Sequence, residues 1–218
     1  MISRDKFIRY LETVDYLYVG NISADWNTIL DECYALVDKS PTYWNSVCAE
    51  GLKDWGGVQG AEKWTVTTDG AAAVGYTSQN TKSWGTTHDK PQLHMEWEKI
   101  VKDWLPLEHA ISRPSLQKPG NVLPWHRDYF VMFKKHYPEE SEYVIRFIVF
   151  MKDWEPGHMF NAGDSIFSNW KAGDAIVYHP TRYHIGANAG MTDKWTQNVT
   201  GVLKEQINFP ALDLGKIC

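Results

Sequence analysis

The chain is poor in cysteine, in runs of positive charge and in long apolar stretches. Three cysteines in 218 residues share no CxxC spacing, which argues against a disulfide framework and against a thiolate zinc site. A formal net charge of -5 without a basic run leaves no clear nucleic-acid surface. No apolar stretch approaches the ~20 residues that span a bilayer, and the start MISRDKFIRY is too polar for a secretory signal. These absences predict a cytoplasmic protein without a membrane partner.

The length of the chain and a change of pattern along it predict one domain built in two parts. A chain of 218 residues suits a single core. Residues 1–108 are expected to be mainly helical support with a long loop, and residues 109–210 to form a β-barrel core. The expected fold class is α+β, with the N-terminal helices packed on the outside of the barrel.

The front part is expected to hold four helices and one long loop, because apolar residues recur there with helical spacing. Residues 65–90 are rich in Thr, Gly, Ser and Ala, and they predict a strand followed by a long loop. That loop is either a lid over an active site or a mobile surface loop. The predicted helices cover residues 7–14, 26–37, 41–48 and 97–104, with Ser3, Ser23 and Ser40 as N-caps of the first three and an end to the fourth near Pro106.

From His109 onward, short β-type runs alternate with Gly, Pro, Asn and Asp, which is the pattern of a sandwich or barrel. Turn sequences at residues 161–164 and 171–174 each predict a hairpin. The predicted strands are residues 111–118, 125–133, 143–151, 158–160, 165–168, 175–179, 184–187 and 195–203.

The segment LPWHRDYF holds a candidate half of a metal site. His126 and Asp128 lie two positions apart on a predicted strand, so both should project to the same face. A 2-His-1-carboxylate iron site needs one further, distant imidazole and keeps three positions open for other ligands. An HxD pair alone is a weak signal, because it arises by chance, and it gains meaning only from its context.

A candidate third ligand lies in GDAIVYHPTRYHIGANAG, where a turn and a strand precede two histidines. We favour His184, because Pro180 directly after His179 indicates the end of a strand. Either histidine could instead be an ordinary hydrogen-bonded residue of a barrel wall. The preference for His184 also depends on the resemblance that follows.

The sequence resembles the double-stranded β-helix 2-oxoglutarate oxygenases in four features. These are the HxD pair, its spacing to the second histidine, the GD ten residues before that histidine, and Lys194 ten residues after it. LQKPGNVLPWHRD is similar to the approach to the iron motif in prolyl-hydroxylase-like members. DWEPGHMF, NWKAGDAIVYHPTRYHIGANAG and KWTQNVTGV are similar to small oxygenases of bacteriophages. The resemblance covers roughly residues 115–203. It implies a jelly-roll or cupin-like barrel, iron held by His126, Asp128 and His184, and the host cytoplasm as location if the protein is viral.

The resemblance also implies a role for Lys194, because in the collagen-modifying branch a lysine at this spacing binds the far carboxylate of 2-oxoglutarate. Lys194 opens a predicted strand whose alternate residues should line the barrel interior, where a buried ammonium needs an anion. A solvated surface position is the alternative. The implied cofactors are Fe(II), 2-oxoglutarate and O2, with ascorbate as a candidate reductant.

Arg146 interrupts the apolar run YVIRFIVFM, so its guanidinium must find carboxylate partners. The partner is either 2-oxoglutarate, as the resemblance to aspartyl-hydroxylase and free-proline-hydroxylase relatives implies, or a structural carboxylate such as Asp164. Asn188, Gln197 and Asn198 are candidates for further hydrogen bonds near the cosubstrate. Asn188 has the alternative of serving the turn that follows it.

Together these residues favour an Fe(II)- and 2-oxoglutarate-dependent dioxygenase. The expected reaction is hydroxylation of an amino-acid side chain, free or peptidyl, with release of succinate and CO2. The same chemistry on a nucleobase or small metabolite is an alternative, since the site and not the fold sets the function. A cupin-like metal enzyme and a noncatalytic binding barrel, both without 2-oxoglutarate, are further alternatives. The sequence leaves the oligomeric state open.

Overall fold

The first helix begins where a serine caps it. β1 is Ile2–Ser3 and α1 is Arg4–Thr13, and the Ser3 side chain accepts a hydrogen bond from the backbone N–H of Lys6. This bond satisfies one of the free donors of the first turn, so the predicted cap is confirmed. The structure, a computed structural model, describes residues 1–39, 43–45, 82–85, 98–210 and 212.

α2 is Trp26–Lys39, and its N-cap is Asp25 rather than the predicted Ser23. The Asp25 carboxylate accepts hydrogen bonds from the Thr28 backbone N–H at 3.2 Å and from the Thr28 hydroxyl at 2.8 Å. The prediction of Ser23 was wrong because a side chain directly before the first helical residue reaches the free N–H groups, and Ser23 lies too early for that.

α3 is Glu98–Trp104 and ends before Pro106, as predicted.

Two other predictions for the front part are wrong where the structure describes it. Tyr43–Asn45, expected to be helical, forms strand β3, and it pairs with β4, Lys82–Gly85, inside the expected loop at residues 65–90. Strand pairing here overrides local propensity. The rest of both segments, and with it the question of a lid, lies outside the described residues. No described helix is long and apolar enough to cross a membrane.

Ten further strands lie in the described part of the chain: β2 Leu17–Asn21, β5 Leu107–Gln117, β6 Val122–His126, β7 Val144–Phe150, β8 His158–Ala162, β9 Ser165–Phe167, β10 Asp174–Val177, β11 His184–Asn188, β12 Lys194–Leu203 and β13 Gln206–Ile207. The larger sheet has the order β2-β10-β7-β12-β5-β4-β3 and the smaller one β6-β11-β8-β9, while β1 pairs with β13. All pairs are antiparallel.

The strand predicted over residues 125–133 is wrong from residue 127 onward. β6 ends at His126, and after an irregular segment the chain forms α4, Val131–His136, and then a 3-10 helix, Pro138–Tyr143. Phe130, directly before α4, has a left-handed φ of 50° that ends any extended run. Asp128 therefore lies after the strand and not on it.

One of the two predicted hairpins is confirmed. β8 and β9 are joined through a turn in which Gly163 has a φ of 53°, and Ala162 pairs with Ser165. The second prediction, at residues 171–174, is wrong because β10 pairs with β2 and β7 rather than with β9. This turn carries the chain from the smaller sheet to the larger one.

Alternate residues of the larger sheet face two different cores. Phe147 and Val149 of β7 pack with α1 and α2 on the outer face, whereas Ile148 and Phe150 pack with Phe160 of the smaller sheet. The helices therefore cover the outside of the larger sheet, and the two sheets enclose an interior. This is the expected double-stranded β-helix.

Candidate metal and cosubstrate site

Strand pairing brings His126 and His184 together. His126 is the last residue of β6, His184 is the first of β11, and the two are direct partners in the antiparallel register. Directly opposed residues project from the same face of a sheet, and the two imidazole centroids lie 4.1 Å apart. The sheet thus positions two nitrogen donors side by side.

Asp128 joins these histidines from the irregular segment after β6. Arg146 Nη1 donates a hydrogen bond to Asp128 Oδ1 at 2.7 Å, and Asp128 Oδ2 lies 3.8 Å from His184 Nε2. Burial by itself raises the pKa of this carboxyl group, but the charges of Arg146, His184 and His126 outweigh burial and hold the pKa below its ordinary value. The carboxyl group is therefore ionised at neutral pH.

His184 presents a nitrogen lone pair to this carboxylate. Its Nδ1 lies 3.2 Å from the carbonyl oxygen of Arg182, and an Nδ1–H that donates to this carbonyl leaves the Nε2 lone pair facing Asp128. Burial, followed by the neighbouring His126, lowers the pKa of His184 to about 3. The ring is neutral at pH 7, which is the form that binds a metal.

The three side chains form a group that could hold a metal ion. One ligand atom from each of His126, Asp128 and His184 lies within 4.8 Å of the other two. Two imidazole nitrogens and one carboxylate oxygen are the donor set of 2-His-1-carboxylate iron sites. The structure thus brings together the three residues that the sequence singled out.

His179, the rival histidine, lies elsewhere. Its Nδ1 bonds to the Thr181 hydroxyl at 2.8 Å, and its Nε2 lies 3.8 Å from a carboxylate oxygen of Glu12 on α1. The ring therefore packs toward the first helix, away from the metal-binding group.

Tyr178 is a site residue that the sequence did not reveal. Its side chain is 1% exposed, and its hydroxyl lies 3.1 Å from His184 Nε2 and 3.5 Å from Asp128 Oδ2. Burial, together with the charge of Asp128, raises the pKa of Tyr178 well above its ordinary value, so the hydroxyl keeps its proton. An aromatic residue after β10 reads as core, and only the tertiary arrangement shows that its hydroxyl meets two ligand atoms.

Lys194 is buried inside the barrel, so the alternative of a solvated surface charge is wrong. The side chain is 2% exposed, and Nζ donates hydrogen bonds to Gln117 Oε1 at 3.0 Å and to the Met159 carbonyl at 2.6 Å. No carboxylate of the described residues pairs with it. Burial lowers the pKa of Lys194 to about 7. Relative to an ordinary lysine, a shift of this size costs roughly 4 kcal/mol of folding stability at neutral pH.

The ammonium of Lys194 faces the strand that carries His184. A Cβ atom added to Gly186 of β11 would lie 3.5 Å from Lys194 Nζ and 3.4 Å from Gln117 Oε1. Residues two apart on a strand project from the same face, and Gly186 is about 7 Å along β11 from His184. The ammonium and the metal-binding group therefore share one face of the smaller sheet, with a residue that lacks a side chain between them.

Arg146 pairs with Asp128 of the metal-binding group and not with Asp164, the structural carboxylate that the sequence offered as a possible partner. Its Nη1 contacts Asp128, and its Nε donates to the Thr200 hydroxyl at 3.0 Å. Asp164 instead uses its backbone N–H to bond the Asp15 carboxylate at 3.1 Å.

The three amide side chains proposed near the cosubstrate differ in their surroundings. Asn188 bonds the carbonyls of Gln117 and Thr192 and accepts from the Gly190 N–H, which is the turn role considered as its alternative. Gln197 lies on the opposite face of β12 from Lys194 and bonds to Ser112, so its expected place near the cosubstrate is wrong.

Asn198 projects from the same face as Lys194. Its partner in the register on β7 is Ile148, which packs in the core between the two sheets. Asn198 is half-buried, and its side chain makes no hydrogen bond to any residue that the structure describes.

No family model matches the chain, and no curated protein matches it either. Among solved structures, the chain is similar to the non-heme α-ketoglutarate-dependent carbocyclase SnoK from nogalamycin biosynthesis, with a TM-score of 0.54 and 10% identity over 99% of this chain and 92% of SnoK. Other matches are a Pseudomonas putida prolyl-4-hydroxylase, with a TM-score of 0.47 and 12% identity over 91% and 98% of the chains, and the epimerase SnoN, with 0.46 and 11% over 90% and 81%. The likeness to SnoK supports the fold of 2-oxoglutarate oxygenases.

Proposed function

We propose that the chain is an Fe(II)- and 2-oxoglutarate-dependent oxygenase. In this proposal His126, Asp128 and His184 bind iron, and Lys194 binds the distal carboxylate of 2-oxoglutarate. One observation carries the proposal: a buried lysine, unpaired with any carboxylate of the described residues, shares a barrel face with a His-Asp-His group.

The residues present fit both groups. The two imidazoles and one carboxylate suit Fe(II) and would leave further coordination positions open. A buried ammonium held only by neutral oxygens is poorly compensated, and a carboxylate would supply the missing charge. The distance of about 7 Å along β11 between His184 and the glycine that faces Lys194 is comparable to the length of 2-oxoglutarate.

When bound, iron and 2-oxoglutarate supply the oxidation: one atom of O2 enters succinate as CO2 leaves, and the other enters the substrate. The residues of this chain supply binding and orientation. Lys194 holds one end of the dicarboxylate, Gln117 Oε1 accepts a hydrogen bond from Nζ and keeps the ammonium in place, and Gly186 leaves room for the chain of the dicarboxylate. Arg146 and Tyr178 hold the two oxygens of Asp128, so that the carboxylate keeps its orientation toward His184.

The finer part of the proposal concerns the reaction outcome. We propose hydroxylation of an amino-acid side chain, free or peptidyl, by a dioxygenase reaction with release of succinate and CO2. A nucleobase or another small metabolite stays the alternative substrate, and ascorbate stays a candidate reductant. The polar side chains of Arg146 and Asn198 on the inner face of the larger sheet support a polar substrate.

The experiment that tests the cosubstrate is optical. Anaerobic addition of 2-oxoglutarate to the protein loaded with Fe(II) should produce a metal-to-ligand charge-transfer band in the visible. The same addition to His126→Ala should produce none, because one ligand is lost. If iron binds stoichiometrically and no band forms with 2-oxoglutarate, the proposal is wrong, and a metal enzyme of the same fold without this cosubstrate becomes the better reading.

A further inference from the structure

The guanidinium of Arg146 lies next to the metal-binding group, and its Nη2 side is called the unused edge below. Nη1 is used by Asp128 and Nε by Thr200, but Nη2 makes no hydrogen bond to any residue in the described part of the chain. The side chain is 25% exposed, in contrast to 2% for Lys194. The unused edge therefore belongs to a group that solvent, and hence a ligand, can reach.

Asn198 is the second unused polar group on the same wall. In the register, Arg146 is opposite Thr200 and Asn198 is opposite Ile148, so Arg146 and Asn198 are diagonal neighbours on one face. Diagonal neighbours lie within reach of each other when one side chain is long. A guanidinium edge and an amide together can donate to both oxygens of one carboxylate.

Arg146 and Lys194 are too far apart to share one anion. Thr200, the partner of Arg146, is six residues along β12 from Lys194, which is about 20 Å of strand. Lys194 Nζ contacts the Met159 carbonyl and Gln117, whereas Arg146 contacts Asp128. The two cations thus serve different ends of the interior, one beside the metal-binding group and one beyond it.

The sum of the charges at the site also favours a ligand carboxylate near Arg146. The charges of Fe(II) and 2-oxoglutarate cancel, and Asp128 offsets one of the two cations Arg146 and Lys194. One positive charge is left over, on the exposed side where Arg146 lies, and it attracts the carboxylate of a ligand bound there. A phosphate dianion would leave excess negative charge and would need more donors than this pair offers.

We propose that the prime substrate is a free amino acid, and that Arg146 Nη2 and Asn198 bind its carboxylate beside the metal-binding group. The inference rests on the proposed function and narrows its substrate class. It separates free amino acids from residues within a peptide, whose backbone carboxylate is consumed in the amide bond.

The test uses matched pairs of probes. Each common L-amino acid is compared with its primary amide, which has nearly the same shape but no carboxylate charge, in an assay of succinate formation by the iron-loaded protein. At least one acid should raise the rate above the rate without substrate, and its amide should need about tenfold more for half the effect, as expected for a lost charge-assisted bond. Binding to the anaerobic Fe(II)–2-oxoglutarate complex, read from a change in its visible band, should show the same order.

Two variants decide whether Arg146 and Asn198 cause this preference. Arg146→Lys keeps a cation near Asp128 but lacks the second edge, and Asn198→Ala removes the amide. Each should reduce the preference for the acid over the amide, whereas damage to the barrel would weaken both ligands alike. Arg127→Lys, a change in an arginine that contacts Tyr129 instead, should keep the full preference.

The outcomes separate this inference from the proposed function. If the visible band forms and no amino acid raises the rate or perturbs the band, the substrate inference is wrong and the oxygenase proposal stands. If Arg146→Lys raises the 2-oxoglutarate concentration that gives half the band, with no change in the acid-to-amide preference, Arg146 belongs to the cosubstrate. If no band forms at all, the proposed function itself fails.

Discussion

His126 and His184 face each other across the antiparallel pair formed by β6 and β11, at the ends of both strands. The pairing fixes the distance between two imidazoles that are far apart in the sequence, and Asp128 needs only the short segment after β6 to join them. Backbone hydrogen bonds of the sheet thus hold two ligands before any metal binds, so the site is largely preorganised.

Removal of either ligand of the HxD pair should strongly weaken metal binding. His126→Ala and Asp128→Ala each leave two donors, which are too few for a stable 2-His-1-carboxylate site. Titration with Co(II), followed by its visible absorption, should show at least a hundredfold loss of affinity, in line with about 3 kcal/mol or more for a lost ligand. His179→Ala is the matched control and should bind normally, and normal binding by Asp128→Ala would contradict the assigned ligand set.

The sequence predicted which residues come together in the metal-binding group better than it predicted their local geometry. The HxD motif indicated His126 and Asp128. A strand through residue 133 was nevertheless expected, because nothing in the sequence around Phe130 reveals that this residue has a left-handed φ. Tyr178 was invisible, since its importance depends on which side chains the barrel brings to its hydroxyl. Gln197 was assigned to the wrong face of β12, because residues one position apart on a strand project to opposite faces.

The cap of α1 and the β8–β9 hairpin were predictable because each depends on a few adjacent residues. The turn before β10 could not be recognised as a crossing between sheets, since a turn sequence does not determine which strands it joins. The same limit applies to β3, whose strand exists because β4 pairs with it. Long-range pairing is what the local pattern does not contain.

Lys194→Met should remove 2-oxoglutarate binding without loss of folding stability. The buried ammonium costs roughly 4 kcal/mol at neutral pH, which is of the same size as the cost of leaving its two buried acceptors without a donor, about 1–3 kcal/mol each. Thermal denaturation of the metal-free variant should give a Tm close to that of the wild type, and 2-oxoglutarate should raise the Tm of the metal-loaded wild type only. Lys171→Met, on an exposed lysine, is the control. A strong drop in Tm would show that Lys194 is structural.

The affinity for 2-oxoglutarate should fall as the pH rises above about 7. The pKa of Lys194 is lowered to about 7 by burial, and the cosubstrate binds the protonated form. Above this pH a proton must be taken up on binding, so the apparent Kd should rise by up to tenfold per pH unit until the pKa of the complex is reached. His158 on β8 is the titratable neighbour on the facing sheet, and its own pKa is lowered by burial, so it is neutral over this range. Anaerobic band titrations between pH 6.5 and 9 check the slope, and a flat profile contradicts the anchor.

Tyr178→Phe should weaken metal binding without unfolding the protein. Once the lone pair of His184 is taken up by a metal, the hydroxyl of Tyr178 is left to Asp128 Oδ2, and loss of such a supporting bond lowers metal affinity by about tenfold. Mn(II) or Co(II) titration provides the measurement. Tyr16→Phe, which removes a hydroxyl that contacts the Ile166 carbonyl, is the control and should not change the affinity. Equal affinities for all three proteins would assign Tyr178 to packing alone.

Gly186 should tolerate a small side chain and reject a branched one. Its φ is not in the left-handed region, so the backbone accepts an L-residue, and a Cβ atom would meet Lys194 Nζ at 3.5 Å and Gln117 Oε1 at 3.4 Å. Gly186→Ala adds ordinary contacts only, whereas the two methyl groups of Gly186→Val extend into the space between the ammonium and the metal-binding group. Overpacking of this kind costs about 1–3 kcal/mol, so the Kd for 2-oxoglutarate should rise slightly for Ala and about tenfold or more for Val.

Metal affinity, measured with Co(II), should change less than twofold in both, because the valine side chain projects toward Lys194 and not toward the donor atoms. If Gly186→Val binds 2-oxoglutarate as the wild type does, the dicarboxylate does not cross this part of the barrel and Lys194 is not its anchor.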